Sequence, residues 1–369
     1  MVSSLPTTLL IGSCEAFGGK SAVVLGLMRQ LMAAGAAVHY GKPLATSVES
    51  ITGGVSGLLD DDVQFIGATL QLPAPQLLAS RHVLSAASAQ ERLTLGPGAS
   101  SPKGAIAEVR AQLETLPADA MVVLEAAGTL AEGLLYGLSL VQLAQGLEAP
   151  VLLVHPWSDA RSIEPLLAAK AQLGPLLAGV VLNGVQPDAV AALQAEIGPA
   201  LAAYDIPLFG VLPRSPLLRS VTVEELVGRL DARVLCCQDR LDLLVETLSI
   251  GAMNVNAAME FFRKRRNMAV VTGADRTDIQ LAALEASTQC LILTGVGEPL
   301  PQLINRAEEL DVPLLRVEHD TLTTVEVIEQ AFGHVRLHEG VKATYAIRLV
   351  EEHCAFAPLF ERLRLPLPA

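Results

Sequence analysis

The chain is poor in aromatic residues and in positive charge. Phe, Trp and Tyr make up 4% of 369 residues, with one tryptophan, and 39 Asp and Glu outnumber 26 Lys and Arg, for a formal net charge of −13. So acidic a surface repels phosphodiester backbones, which excludes nucleic acid as a main partner. The densest basic run, Arg263-Lys264-Arg265-Arg266, reads as the solvated last turn of a helix, where cations suit the dipole. Cysteine is scarce too: five residues, an odd number, none at a spacing that would hold zinc. A disulfide framework is therefore not expected, and a reducing cytoplasm is the expected location. No basic region precedes the first apolar run, so no secretory signal is expected. The longest uncharged stretch, Val63 to Ser80, is interrupted by Gln64, Gln71, Gln76, Pro73 and Pro75, which excludes a membrane span.

What is present is globular. Hydrophobic residues make up 51% of the chain, which excludes intrinsic disorder, and the length suits two domains. Up to about Pro213, short aliphatic runs (Thr8 to Ile11, Val38 to Tyr40, Met121 to Leu124, Val151 to Val154, Gly179 to Leu182, Pro207 to Val211) alternate with longer helical periodicities. That alternation predicts an α/β domain with a doubly wound, mostly parallel sheet over 1–215. A helix is predicted over Leu217 to Leu230. A second, smaller α/β series follows, with strands at Ala232 to Cys236, Met268 to Thr272, Cys290 to Thr294 and Pro313 to Val317. It is assigned to 216–355, leaving 356–369 as a C-terminal tail.

The sharpest motif is Gly12-Ser13-Cys14-Glu15-Ala16-Phe17-Gly18-Gly19-Lys20-Ser21, between the first strand and the first helix. A glycine-rich turn there aims backbone N–H groups and the positive helix end at an anion; Lys20 reaches the outer phosphates and Ser21 can ligate Mg²⁺. The loop is longer than the strict phosphate-loop pattern, which would need glycine at position 14. Gly12, Ser13, Glu15, Gly18, Gly19, Lys20 and Ser21 are thus candidate nucleotide-binding residues.

Other candidates end strands on the same edge, where ligands collect in open α/β sheets. Lys42, in Tyr40-Gly41-Lys42-Pro43, could neutralise a phosphate or carboxylate, or simply be an exposed turn lysine. Glu125 closes the run Met121-Val-Val-Leu and is a candidate Mg²⁺ ligand; Asp60-Asp61-Asp62, represented by Asp61, is another, or else a solvated turn. Asn183, before Gly184, offers a donor and an acceptor to a base, or is a turn asparagine. Trp157 could line this edge or pack in the core, and His319, His334, His338 and His353 read as surface or interface residues.

Together these features resemble the dethiobiotin synthetase family over roughly residues 5 to 213. The resemblance implies ATP with Mg²⁺ on Lys20 and Ser21, a catalytic lysine at Lys42 beside Lys20, metal binding by Glu125, and adenine contact by Asn183. The loop is one residue longer than the family's, and Ala126-Ala127-Gly128-Thr129 replaces its Gly-Ala-Gly-Gly. In the second half, Met253 to Ala258, Val270-Val-Thr-Gly-Ala-Asp275-Arg276-Thr277-Asp278-Ile279 and Leu293-Thr-Gly295 resemble the DRTGG domain, with Asp278-Ile279 in place of its two glycines. Asp275, Arg276 and Thr277 are candidate ligand residues, Asp275 as a helix cap and Arg276 as a grip for a phosphate or carboxylate; the alternative is a capped helix with a surface arginine.

A dethiobiotin synthetase-like domain followed by DRTGG resembles the region preceding the catalytic domain of long phosphate acetyltransferases, and stand-alone bacterial proteins of the phosphotransacetylase family. The resemblance implies an ATP- and Mg²⁺-binding regulator of metabolism with little or no turnover, and not acetyl transfer. The expected partners are a nucleotide, further copies of the chain and a metabolic enzyme. The alternatives are an ATP-dependent carboxylate-activating enzyme and a signalling-nucleotide sensor acting through the DRTGG domain.

Overall fold

A strand covered by helices on both faces must be apolar on both, and the runs marked as strands are apolar in that way. The computed structural model, which describes residues 5–48, 57–96 and 102–365, builds them into a seven-stranded sheet. Its strands are β1 (Thr7–Gly12), β2 (Val38–Gly41), β3 (Leu77–Leu78), β4 (Met121–Glu125), β5 (Val151–Pro156), β6 (Leu177–Val185) and β7 (Leu208–Pro213). They lie in the order β3-β2-β4-β1-β5-β6-β7, and all pairings are parallel. Between them run α1 (Lys20–Ala33), α2 (Asp61–Thr69), α3 (Ala86–Leu95), α4 (Pro102–Leu113), α5 (Leu140–Leu147), α6 (Ile163–Leu173) and α7 (Val190–Ala202). Leu10, Val122, Leu153 and Leu182 share one core with Ile106, Leu143, Leu166 and Ile197 of these helices. The alternating neighbours Leu9, Ile11, Val123 and Val154 are equally buried. The expected α/β, doubly wound parallel architecture is what the chain adopts.

The chain divides into two compact units, 1–214 with 336–369, and 215–335. The second comprises α8 (Val223–Leu230), β8 (Arg233–Cys236), β9 (Thr247–Ile250), α9 (Val255–Phe262), β10 (Met268–Gly273), α10 (Thr277–Leu284), β11 (Thr288–Thr294), α11 (Pro301–Glu309), β12 (Leu314–Arg316) and α12 (Thr321–Ala331). Its five strands lie in the order β8-β12-β11-β10-β9, parallel except for β8. Phe262, Val270, Leu291 and Leu303 fill one core, and Leu226, Val271, Ile292 and Ile328 another.

Three expectations change. The helix expected over Leu217 to Leu230 is interrupted, because Ser220 is extended and the Thr222 hydroxyl caps a new helix by accepting from Glu225 N at 3.1 Å. The basic run follows α9 rather than forming its last turn, and Arg265 folds back, donating to Leu248 O at 3.0 Å and covering the Phe261 ring. Most consequentially, residues 336–355 leave the second unit and 356–365 are not a tail. Helix α13 (Gly340–His353) buries Ala343, Ala346, Leu349 and Val350 and packs on α1. A Cβ on Gly26 of α1 would stand 2.3 Å from Cβ of Val350, so the approach requires glycine. Cys354 then bridges Gly210 on the sheet's edge strand β7, and α14 (Ala357–Arg362) follows. Residues 366–369 of the expected tail lie outside the described residues. No helix among the described residues is long and apolar enough to cross a membrane.

Candidate functional site

With every strand of the first sheet parallel, the carboxyl ends of β1, β2, β4 and β6 share one edge, and β1 is flanked by β4 and β5. The glycine-rich loop leaves β1 there. Gly19 ends it in the left-handed region (φ 95°) and opens α1 with no side-chain cap, so the first-turn amides point outward without an intrahelical partner. Asn183 lies against the same glycine: its Nδ2 donates to Gly18 O at 2.9 Å and would stand 2.2 Å from a Cβ on Gly19. The Asn183 amide thus fixes the loop, a different contact from the adenine one that the resemblance implies. The Ser13 hydroxyl, fully buried, accepts from Glu15 N at 3.2 Å, whereas the Glu15 side chain points to solvent. Gly12 packs on Leu140. Ser21 is half-buried in the first turn of α1.

Lys20 and Lys42 are both buried and differently satisfied. Lys20 Nζ donates to Gly128 O at 3.4 Å. Burial pushes its ammonium below the ordinary pKa, Glu125 draws it back up, and Lys42 adds to the depression. Lys42 Nζ is held by Asp60 Oδ1 at 3.2 Å, by Asp62 Oδ2, and by Glu125 Oε1 at 3.9 Å. Burial alone would lower its pKa, but Glu125, Asp62 and Asp60 outweigh that and hold it above the ordinary value. Glu125, fully buried, accepts from Tyr40 Oη at 2.8 Å; burial raises its pKa against the pull of Lys42 and Lys20. Asp60 caps α2, its Oδ1 accepting from Asp62 N at 2.9 Å and its Oδ2 from Thr46 N at 2.7 Å. Asp62 Oδ1 meets His338 Nε2 at 2.8 Å. Burial opposes ionisation of Asp62, yet the bonds from His338 and Lys42 hold its carboxyl below the usual range.

The edge therefore gathers Gly12 to Ser21, Lys42, Glu125 and Asn183, as expected. Of the aspartate triplet, however, it is Asp60 and Asp62 that are buried against Lys42, while Asp61 is half-buried in the first turn of α2. Alternation around the helix start turns the outer pair inward together. Sequence reasoning missed Tyr40, Arg336 and His338, and it offered Asp60 and Asp62 as metal ligands or a solvated turn rather than as partners of Lys42. Asp60 carried a readable signal, a carboxylate just before a helical periodicity. His338 carried none, because it reaches the site only through the return of the chain. Trp157 is half-buried against the core, its backbone N–H donating to Asn183 O at 2.8 Å.

In the second unit, Arg276 Nε and Nη2 reach Asp278 at 3.3 and 3.5 Å, and Nη2 also donates to Met253 O at 3.1 Å. Asp275 is exposed and does not cap α10, since the helix opens at Thr277 with Arg276 as its cap residue. The carboxylate expected to cap stands one residue too early. Gln280 of α10, fully buried, donates to Gly273 O at 2.8 Å.

The AAA domain family model matches residues 7–222 and the DRTGG domain model residues 225–331. Phosphate acetyltransferase of Nitratidesulfovibrio vulgaris is 24% identical over 384 residues, covering 97% of this chain and 52% of its own length. Phosphate acetyltransferase of Synechocystis sp. is 27% identical over 228 residues, covering 57% of this chain and 32% of itself. Among solved structures, the CBS and DRTGG domains of the regulatory region of Clostridium perfringens pyrophosphatase, in complex with diadenosine tetraphosphate, align at a TM-score of 0.29 and 15% identity over 41% of this chain and 74% of that one. The chain spans about half, or less, of the length of these curated relatives. Residues 7–222 place the chain in the AAA domain family, a DRTGG domain follows over 225–331, and 97% of the chain is similar to a phosphate acetyltransferase.

Proposed function

We propose that the chain binds ATP with Mg²⁺ at the phosphate loop and works as a regulatory protein, its nucleotide state read out by the DRTGG domain or by assembly with further copies and a metabolic enzyme, with little or no turnover. The observation that carries the reading is the contrast between the two lysines. Lys42 is surrounded by carboxylates, whereas Lys20, 8% exposed at the mouth of an uncapped helix, has a carbonyl at 3.4 Å and no carboxylate within ion-pair distance among the described residues. A buried cation beside orphan helix amides is a seat for a phosphate.

No set of three or more His, Cys, Asp or Glu side chains among the described residues is arranged to hold a metal ion. Mg²⁺ arriving on the nucleotide would bring phosphate oxygens as most of its ligands, with Ser21 and Glu125 as the protein's donors. Bound there, Mg²⁺ would offset charge between the phosphates. Glu125 is already engaged by Tyr40 and Lys42, which favours binding over use as a catalytic base.

The test is the melting temperature of parent, Lys20→Ala and Arg276→Ala with ATP, ADP, GTP and cyclic di-AMP, with and without Mg²⁺. Ligand at a hundred times its Kd stabilises by about 2.7 kcal/mol. ATP with Mg²⁺ is expected to raise the melting of the parent and of Arg276→Ala, and not that of Lys20→Ala. Equal shifts in all three would overturn the reading. ADP release stimulated by an added carboxylate would move the assignment to the carboxylate-activating class, and a shift lost only in Arg276→Ala would move it to a sensor working through the DRTGG domain.

A further inference from the structure

The geometry points to His338 as a positioning residue of the phosphate-loop site, acting through Asp62 on Lys42. The inference rests on the reading that an anion binds beside these lysines. It concerns a residue outside both matched domains, which end at 222 and 331.

Asp62 divides its carboxylate: Oδ2 contacts Lys42 Nζ and Oδ1 meets His338 Nε2 at 2.8 Å. An aspartate held by one oxygen can rotate about its terminal torsion. One held by both cannot, so the imidazole N–H fixes the oxygen that aims at the lysine. The imidazole is itself fixed. The Phe65 ring from α2 lies 5.4 Å from it, centroid to centroid, and two residues earlier Arg336 Nη2 donates to Thr46 O at 3.0 Å. Thr46 in turn donates its N–H to Asp60, the second carboxylate on Lys42. Just beyond, α13 is seated on α1 through Val350 and Gly26, and buried Lys342 pairs with Glu339 at 3.0 Å. The segment 336–342 is thus fastened at both ends of a short span, with His338 between the fastenings.

The segment also changes the charge that an incoming phosphate meets. Asp60, Asp62 and Glu125 give the surroundings of Lys42 an excess of negative charge, and His338 and Arg336 are the donors that offset it from outside. Loss of His338 leaves Asp62 free to turn and less compensated. Lys42 then becomes more mobile, and anion binding beside Lys20 weakens.

The experiment uses the full chain as parent, His338→Ala, His338→Gln, Asp62→Asn and the double variant His338→Ala/Asp62→Asn, with two readouts. One is the rate of Lys42 acetylation by acetic anhydride, followed by peptide mass spectrometry against exposed Lys264 as internal reference. The other is the Kd for ATP with Mg²⁺. His338→Ala is expected to speed Lys42 labelling relative to Lys264 about fivefold and weaken ATP about fivefold, the size of a typical coupling between contacting residues. His338→Gln, whose amide can donate to the same oxygen, restores both. On the Asp62→Asn background His338→Ala adds nothing further. A Lys42 labelling rate in His338→Ala equal to the parent's overturns the inference, as does an undiminished His338→Ala effect in the double variant. The labelling decides the positioning role by itself, so a parent that binds no ATP counts against the nucleotide reading alone.

Discussion

Replacing Lys42 by methionine keeps most of the side chain's volume and removes its charge, leaving Asp60, Asp62 and Glu125 in a pocket where the lysine is 4% exposed. Removing one partner of a buried ionic cluster costs about 3–5 kcal/mol, mainly through the charge left behind. The carboxylates retain other donors: Thr46 N and Asp62 N on Asp60, His338 on Asp62, and Tyr40 on Glu125. These place the expectation at the lower end, about 3 kcal/mol at pH 7. Lys42 has its pKa raised in the fold, so its contribution is complete below its unfolded value near 10.5 and is lost as pH rises through the folded one. Asp62 has its pKa lowered, so its contribution is present above its ordinary value near 3.8 and is lost as pH falls through the folded one. The deficit of Lys42→Met should therefore shrink as pH falls and the stranded carboxylates take up protons, Glu125 first, because burial already raises its pKa and the pull of Lys42 is gone. Urea unfolding followed by fluorescence measures it in the right place, because the sole tryptophan, Trp157, lies in the same unit and the two units need not unfold together. Adding Asp62→Asn should recover about 1 kcal/mol by removing one stranded charge. A Lys42→Met protein within about 0.5 kcal/mol of the parent at pH 7 would refute the reasoning, for such a value belongs to an exposed lysine.

Two further outcomes follow from the packing and from the loop. Gly26→Ala gains about 1 kcal/mol of helix propensity, but its Cβ would stand 2.3 Å from Val350 Cβ. The expected net result is a loss of about 1–2 kcal/mol with faster amide exchange in α13, and a higher melting temperature than the parent's would argue against the docking. Burial, with Glu15 beside it, pushes the Cys14 thiol up to about 12. Iodoacetamide at pH 8 should therefore label it about a thousandfold more slowly than an unfolded control, and labelling at the control rate would contradict that burial.

The fold was legible where local chemistry determines it. An aliphatic strand buried on both faces, a glycine-rich turn and a helical periodicity each fit within a dozen residues, so β1, its loop and α1 could be read directly, as could the parallel direction of the strands that carry Lys42, Glu125 and Asn183 to one edge, though not their order in the sheet. The inward turn of Asp60 and Asp62 was not legible from the triplet alone, because three aspartates in a row are equally compatible with a solvated turn. What reverses their environment is a lysine 18 and 20 residues away, paired with them in burial.

His338 was less legible still, and for a different reason. Its contact with Asp62 spans 276 residues of sequence, with the whole DRTGG domain lying between, and no periodicity in α13 says which surface its alanine and valine face will cover. The surface is specified on the other helix, by a glycine at 26 where a larger residue would favour the helix more but leave no room for Val350. A residue that local propensity disfavours, accepted in the middle of a buried helix, is the mark of a close tertiary approach. In this chain that approach brings the segment after the second unit back to the loop and lysine of the first.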